Sequence, residues 1–222
     1  MLRIMLKKTE IFAQTIYEVD YPDFEKIQEP LIKYISGNFN SEFENEYYGH
    51  DQPIRSGALI KLYDSNTWYH EGRTIEDANL KSLFDWITEH SIEYWKTLNL
   101  SEYLTPYILQ AWVTAVKRGG FVASHNHNPV PISGVFYLKA DPTQGNLFLE
   151  NPLDLLLGKN ALNSSTKTPT RLNYEVQAMS GKLVLFPGWM KHFTRPNQTD
   201  NIRMSMAVNI GCHGQVHYTE YI

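Results

Sequence analysis

Cysteine is nearly absent from this sequence: Cys212 is the only one in 222 residues. A lone thiol closes no internal disulfide and builds no thiolate cluster, so a metal bound here takes imidazole or carboxylate ligands. The same scarcity suits a reducing compartment, and a cytoplasmic location is the expectation. Long apolar runs are missing as well; nothing approaches the roughly 18 residues of a membrane span. The opening MLRIMLKKTEIFAQ lacks the apolar core and small-residue cleavage site of a signal peptide, so no export is expected. Charge of one sign is not in excess either. The net charge is −4, which leaves no broad basic field to hold nucleic acid or an anionic membrane surface. Glycine (13) and proline (11) stand at ordinary levels, which excludes a collagen-like or low-complexity chain. No period of about 20–50 residues repeats, so neither a solenoid nor a propeller is expected.

What the sequence does have is histidine, eight of them, and 13% aromatic residues. Its length fits one or two domains, and one large β-rich domain also fits. IFAQTIYEV (11–19) reads as a strand, and Asp23-Phe24-Glu25-Lys26-Ile27 opens a helix running to about Ile35, with Ser36-Gly37-Asn38 as its stop. Residues 38–74 are polar and turn-rich. From Thr74 to Leu98 the apolar positions Leu80, Leu83, Phe84, Ile87, Ile92 and Trp95 recur on one helical face, as one long helix or two.

From Tyr107 the period changes. YILQAWVTAVKRG, FVASHNH, ISGVFYLKA, GNLFLEN, YEVQAM, GKLVLFP and RMSMAVNIG are short strands between Gly, Pro, Asn and Asp turns. Such a series argues for a sandwich or small barrel. The stretch Asp154–Asn173 is too long and too polar for a hairpin, and reads either as a functional lid or as a solvated excursion.

The chemistry concentrates in His125-Asn126-His127. On a strand, residues i and i+2 share a face with Cα atoms about 6.6 Å apart, so two imidazoles can meet one metal ion. A bare HxH is a modest signal, but this one has company. The apolar strand Gly181–Pro187 ends in a turn, and His192 follows five residues after Pro187, as a third ligand from a distant strand would. Eleven residues beyond lies Arg203, then Met204 and Ser205. Arg203 and Ser205 share one strand face, and a guanidinium with a hydroxyl suits a carboxylate. The plainer reading of Arg203 is a buried ion pair with Glu150 or Glu175.

These pieces, in this order, resemble the 2-oxoglutarate/Fe(II)-dependent oxygenases, in a hydroxylase-like branch. The matching residues are the HNH run, Ser133-Gly134-Val135-Phe136-Tyr137-Leu138, Gly145-Asn146-Leu147-Phe148, Gly181…Phe186-Pro187…His192 and Arg203-Met204-Ser205. The resemblance covers about residues 110 to 210. It implies a mainly β (α+β) fold, a double-stranded β-helix or jelly roll with supporting N-terminal helices. It implies one oxygenase domain over 1–222: support in 1–106, the β-helix core in 107–212 and a tail in 213–222. It implies that His125, His127 and His192 bind Fe(II). Arg203, Ser205 and Tyr137 would hold the distal carboxylate of 2-oxoglutarate, and O2 would be the third reactant. The reaction implied is oxidative decarboxylation of 2-oxoglutarate coupled to oxidation of a substrate C–H bond. That substrate, a small molecule or a protein side chain, has no motif of its own here.

One position departs from the family. His127 falls where the usual ligand is Asp or Glu, and three neutral imidazoles leave the iron one negative charge short. Glu150 and Asp141 are the acids nearest in sequence, but neither has the i+2 spacing, and His127 ranks above both. Asn126 and Asn128 either orient the pair or merely form the turn. Trp112, Trp189 and Phe148 are candidates for a substrate wall, with core packing the simpler reading for Trp112 and Phe148. A cupin-type three-histidine thiol dioxygenase also fits Gly119…His125-Asn126-His127 and Gly181…Pro187. That type would place a Glu at Pro131 or Ile132 and has no use for the Arg203/Ser205 pair. A non-enzymatic β-sandwich binding module is the other alternative. His50, His70 and His90 read as surface residues, His213 and His217 as tail, and Cys212 as buried filler.

Overall fold

The computed structural model describes residues 14–39, 54–65, 75–152 and 173–214. His50, His70 and His217 lie outside them, as does the 154–173 insertion apart from Asn173. In chain order the elements are β1 (Tyr17–Asp20), α1 (Gln28–Asn38), β2 (Ile54–Asp64), α2 (Ala78–Thr97), β3 (Thr105–Val122), β4 (Ile132–Lys139), β5 (Leu147–Glu150), β6 (Asn173–Val176), β7 (Lys182–Pro187), β8 (His192–Thr194) and β9 (Arg203–His213). All strand pairs are antiparallel. Six strands form one sheet in the order β1-β7-β4-β9-β3-β2, and a smaller sheet runs β6-β5-β8. This is the mainly β, double-stranded β-helix architecture with N-terminal helices that the sequence led us to expect.

Strand alternation sorts the side chains of the large sheet into two sets. On β9, Met204, Met206, Val208 and Ile210 face the helices; Arg203, Ser205, Ala207 and Asn209 occupy the other parity. The first set packs with Leu31 and Ile35 of α1, and with Leu80, Leu83, Phe84 and Ile87 of α2, in one continuous core. Each fully buried Leu or Ile contributes roughly 1.5–3 kcal/mol by leaving water. A smaller cluster, including Leu147, Leu149, Val176, Val184 and Phe186, lies where the small sheet meets the large one.

The amphipathic pattern of residues 74–98 is one helix, not two. Asp77 caps it by accepting the Leu80 N–H at 2.8 Å, the satisfaction of an otherwise orphan first-turn donor. Three local expectations are corrected. The Phe24–Lys26 segment is a short 3-10 turn, and α1 then runs through Ser36-Gly37-Asn38 instead of stopping there. Within the stretch read as turn-rich, β2 pairs with β3 along most of its length. The third concerns HNH: β3 ends at Val122, and His125 makes only an isolated bridge to His192, so the motif sits on an extended loop and not within a strand. No helix among the described residues is long and apolar enough to cross a membrane.

Candidate active site

The bridge between His125 and His192 brings the two distant motifs together. Each donates its backbone N–H to the other's carbonyl, at 3.1 and 2.9 Å. Next to it, the His127 N–H donates to the Gly188 carbonyl at 2.8 Å, and the Gly188 N–H to the Pro131 carbonyl at 3.0 Å. The loop carrying His127 is thus laced to the turn before His192. Gly188 is required there because a Cβ would lie 1.9 Å from the Val130 carbonyl oxygen.

The three imidazoles converge, with one ring nitrogen from each within 4.8 Å of the others. Every Nδ1 faces an acceptor: the Ala123 carbonyl for His125 (2.8 Å), Asn209 Oδ1 for His127 (2.5 Å) and the Met190 carbonyl for His192 (3.0 Å). Ser133 Oγ is also 3.1 Å from His127 Nδ1. Donation from Nδ1 fixes the tautomer that leaves Nε2 as a bare lone pair. The His125 and His127 Nε2 atoms are 3.1 Å apart, and two lone pairs that close repel unless a cation lies between them. Burial pushes the His125 pKa down to about 4 and holds His127 low as well; for His192 burial, then the neighbouring His125, pushes it well below its ordinary value. The rings are neutral near pH 7, as metal ligands must be. No carboxylate joins the trio among the described residues. Glu150 accepts from Ser124 Oγ and Asp141 caps the turn at Thr143.

Arg203 lies 1% exposed in the same cavity. Its Nη1 donates to the Gly145 carbonyl at 2.7 Å and its Nη2 to Thr194 Oγ1 at 3.4 Å, while Nε has no partner. No acid pairs with it among the described residues, and Glu175 accepts from Asn146 instead, so the ion-pair reading of Arg203 is discarded. Tyr137 is buried with its hydroxyl unpartnered, and burial pushes its pKa up to about 12. Tyr137 and Ser205 are directly opposed across β4 and β9, and Ser205 opposes Thr114 on β3. A buried guanidinium without a counter-ion is costly. With the orphan hydroxyl beside it, it forms a seat whose chemistry suits a carboxylate.

The cavity measures about 520 Å³ and contains the three histidines, Tyr137, Arg203 and Ser205, so all six residues singled out in the sequence share one space. Lys61, Asp64, Asn126 and Asn128 line it too. Trp112 stacks on the His127 ring at 5.5 Å and 20°, so it is a cavity wall and not core filler. Phe148 stacks instead on Phe193 under the Arg195 guanidinium, and Trp189 is 40% exposed; neither lines the cavity. His90 is half-buried against Trp86 and 3.2 Å from the Tyr17 hydroxyl, not a surface residue. Asn209, Gln110 and Thr194 escaped the sequence reading. Asn209 was within reach, since extending the alternation of Arg203 and Ser205 by four residues lands on it.

Several solved structures share this fold. A prolyl-4-hydroxylase from Pseudomonas putida superposes with a TM-score of 0.58 at 12% identity, over 91% of this chain and 95% of that one. An oxidoreductase of the 2OG-Fe(II) oxygenase family from Burkholderia pseudomallei gives 0.53 at 12% identity, over 92% and 88%. HygX from Streptomyces hygroscopicus, solved with nickel and 2-oxoglutarate bound, gives 0.51 at 12% identity, over 89% and 83%. No curated protein matches the sequence. Residues 110–209 match the family described as "Putative 2OG-Fe(II) oxygenase", a span that includes all three histidines, Tyr137, Arg203 and Ser205. The resemblance drawn from the motifs therefore stands at the level of the 2-oxoglutarate/Fe(II) oxygenase superfamily.

Proposed function

We propose that this protein is a non-haem Fe(II)- and 2-oxoglutarate-dependent oxygenase acting as a hydroxylase. The observation that carries the reading is the pairing, in one cavity, of three converging neutral imidazoles with a buried, uncompensated guanidinium. His125, His127 and His192 hold the iron through their inward ring nitrogens. Arg203, Ser205 and Tyr137 bind the distal carboxylate of 2-oxoglutarate, with Arg203 as its counter-ion. When bound, iron and 2-oxoglutarate supply the activation of O2 and the oxidation of a C–H bond; the protein supplies position and dryness. The Nδ1 acceptors keep each imidazole aimed, Gly145 and Thr194 hold the guanidinium, and the buried walls keep water from the carboxylate seat. Trp112, stacked over His127, limits where a substrate carbon can lie. The substrate is a small molecule or a protein side chain. We read 1–222 as one oxygenase domain working in the cytoplasm.

The test uses purified protein loaded with Fe(II). Anaerobic addition of 2-oxoglutarate is expected to give the visible absorption band of an iron–keto acid chelate, and admission of air is expected to yield succinate. The reading falls if no succinate forms and Arg203→Ala leaves keto-acid binding unchanged.

A further inference from the structure

One cross-strand row of the large sheet is polar through four adjacent strands. Ser133 on β4 opposes Asn209 on β9, Asn209 opposes Gln110 on β3, and Gln110 opposes Asp64 on β2. All four residues line the cavity. Simple alternation along YILQAWVT would put Ile108 and Gln110 on the same face. A register shift between Ile108 and Gln110 separates them, sending Ile108 to the helix-facing core and Gln110 to the cavity.

The row is hydrogen-bonded from the metal-binding side outward, and every donor points the same way. His127 Nδ1–H donates to Asn209 Oδ1 at 2.5 Å, Asn209 Nδ2 donates to Gln110 Oε1 at 3.2 Å, and Gln110 Nε2 donates to Asp64 Oδ2 at 3.0 Å. The two amides lie head to tail between an imidazole and a carboxylate. Hydrogen bonds in such a chain polarise one another, more so where water is sparse. A ligating histidine is commonly oriented by one acceptor on its far nitrogen, and that acceptor raises its basicity. Here the acceptor is itself backed by a second amide and then by an anion.

We propose that Asp64 is the remote anionic end of a relay, through Gln110 and Asn209, that locks His127 in its Nδ1–H tautomer and strengthens Nε2 as a metal donor. The inference rests on the reading of His127 as a ligand. Three imidazoles bring the metal no negative charge, and this relay returns a share of it from a carboxylate that never touches the ion. Asp64, Gln110 and Asn209 are positioning residues. A polar row that merely satisfied its own hydrogen bonds would be indifferent to the charge at its far end.

The experiment is Co(II) titration of the full-length protein without keto acid, paired with ring ¹⁵N chemical shifts of His127 in the metal-free state. Asp64→Asn keeps an acceptor for Gln110 but removes the charge; about tenfold weaker Co(II) binding is expected, the low end of what such outer partners contribute. Gln110→Met cuts the chain at its middle without touching a histidine, and the same direction is expected. Asn209→Ala should weaken Co(II) by up to about 100-fold and shift the His127 signals toward a tautomer mixture. Asp64→Glu should recover most of the affinity. Wild-type Co(II) affinity and unchanged His127 shifts in both Asp64→Asn and Gln110→Met would overturn the relay. If His127→Ala binds Co(II) like wild type while His125→Ala and His192→Ala do not, the ligand reading of His127 falls and the relay with it. If none of the three histidine variants weakens Co(II), the proposed metal site itself is wrong.

Discussion

Arg203 Nη1 donates to the carbonyl of Gly145 at 2.7 Å, and Gly145 can be no other residue. Its φ is +96°, and a Cβ there would lie 2.1 Å from the Arg195 carbonyl oxygen. A neutral carbonyl and a threonine hydroxyl therefore hold the guanidinium, and neither cancels its charge. A buried charge without a counter-ion carries an uncompensated desolvation penalty, which an apolar side chain of similar size removes. Arg203→Met is accordingly expected to leave the metal-free protein as stable as wild type or more so in urea unfolding. The same variant should lose the stabilisation that 2-oxoglutarate gives wild type, about 2.7 kcal/mol at a hundredfold excess over Kd. Marked destabilisation of ligand-free Arg203→Met would show that the charge is compensated.

Tyr137 makes the parallel case without charge. Its buried hydroxyl has no partner, so Tyr137→Phe removes a desolvated polar atom and should be neutral or slightly stabilising. Keto-acid affinity should fall about tenfold, the effect of one hydrogen bond to a charged group. Equal affinity by titration calorimetry would remove Tyr137 from the carboxylate seat.

The pH dependence of the metal-free protein follows from the buried imidazoles. Above about pH 7.5 they are neutral folded and unfolded, and pH has no leverage through them. As pH falls toward about 4, the unfolded chain takes up protons that the folded His125 refuses, so stability declines across that window. His125 alone accounts for a decline on the order of 3 kcal/mol, with His127 and His192 acting in the same direction. Urea midpoints at pH 7.5, 6 and 5 check this, and His125→Gln should flatten the decline.

Gly188→Ala tests the lacing of the histidine loop to the β7–β8 turn. With the Val130 carbonyl 1.9 Å from the new methyl, the two segments must part. Overpacking of this kind costs about 1–3 kcal/mol, and Co(II) affinity should fall with it. Unchanged affinity would mean that the His125–His192 bridge places the histidines without this lacing.

The sequence was most legible where spacing alone carries the meaning. The Leu80–Trp95 stripe, the parity shared by Arg203 and Ser205, and the turn from Pro187 to His192 are patterns of period and step, and each is where the pattern put it except Ile92, which is only half-buried while Ser91 and Tyr94 complete the helix's buried face. Less visible was whatever depends on a partner distant in the chain. β2 went unrecognised because IRSGALIKLYD mixes Gly, Arg and Lys into its run; its identity as a strand comes from pairing with β3. The HNH motif lies on a loop, so its histidines are brought together by the bridge to β8 and not by a strand's pleat. The shift at Ile108/Gln110 leaves no signal in composition, yet it decides that Gln110 faces the cavity. Asp64 is invisible without it.

The division of β9 into two parities has a practical reading for anyone rebuilding this protein. Its even-numbered residues from Met204 to Ile210 belong to the helix-backed core, and its odd-numbered ones from Arg203 to Asn209 belong to the cavity. A library varied only at Ser205 and Ala207, with Arg203 and Asn209 kept, would reshape the chamber wall between Arg203 and the three histidines while the hydrophobic scaffold stayed untouched. Deleting one residue within the strand would exchange the two sets, and the cavity lining and the core would be lost in a single genetic event.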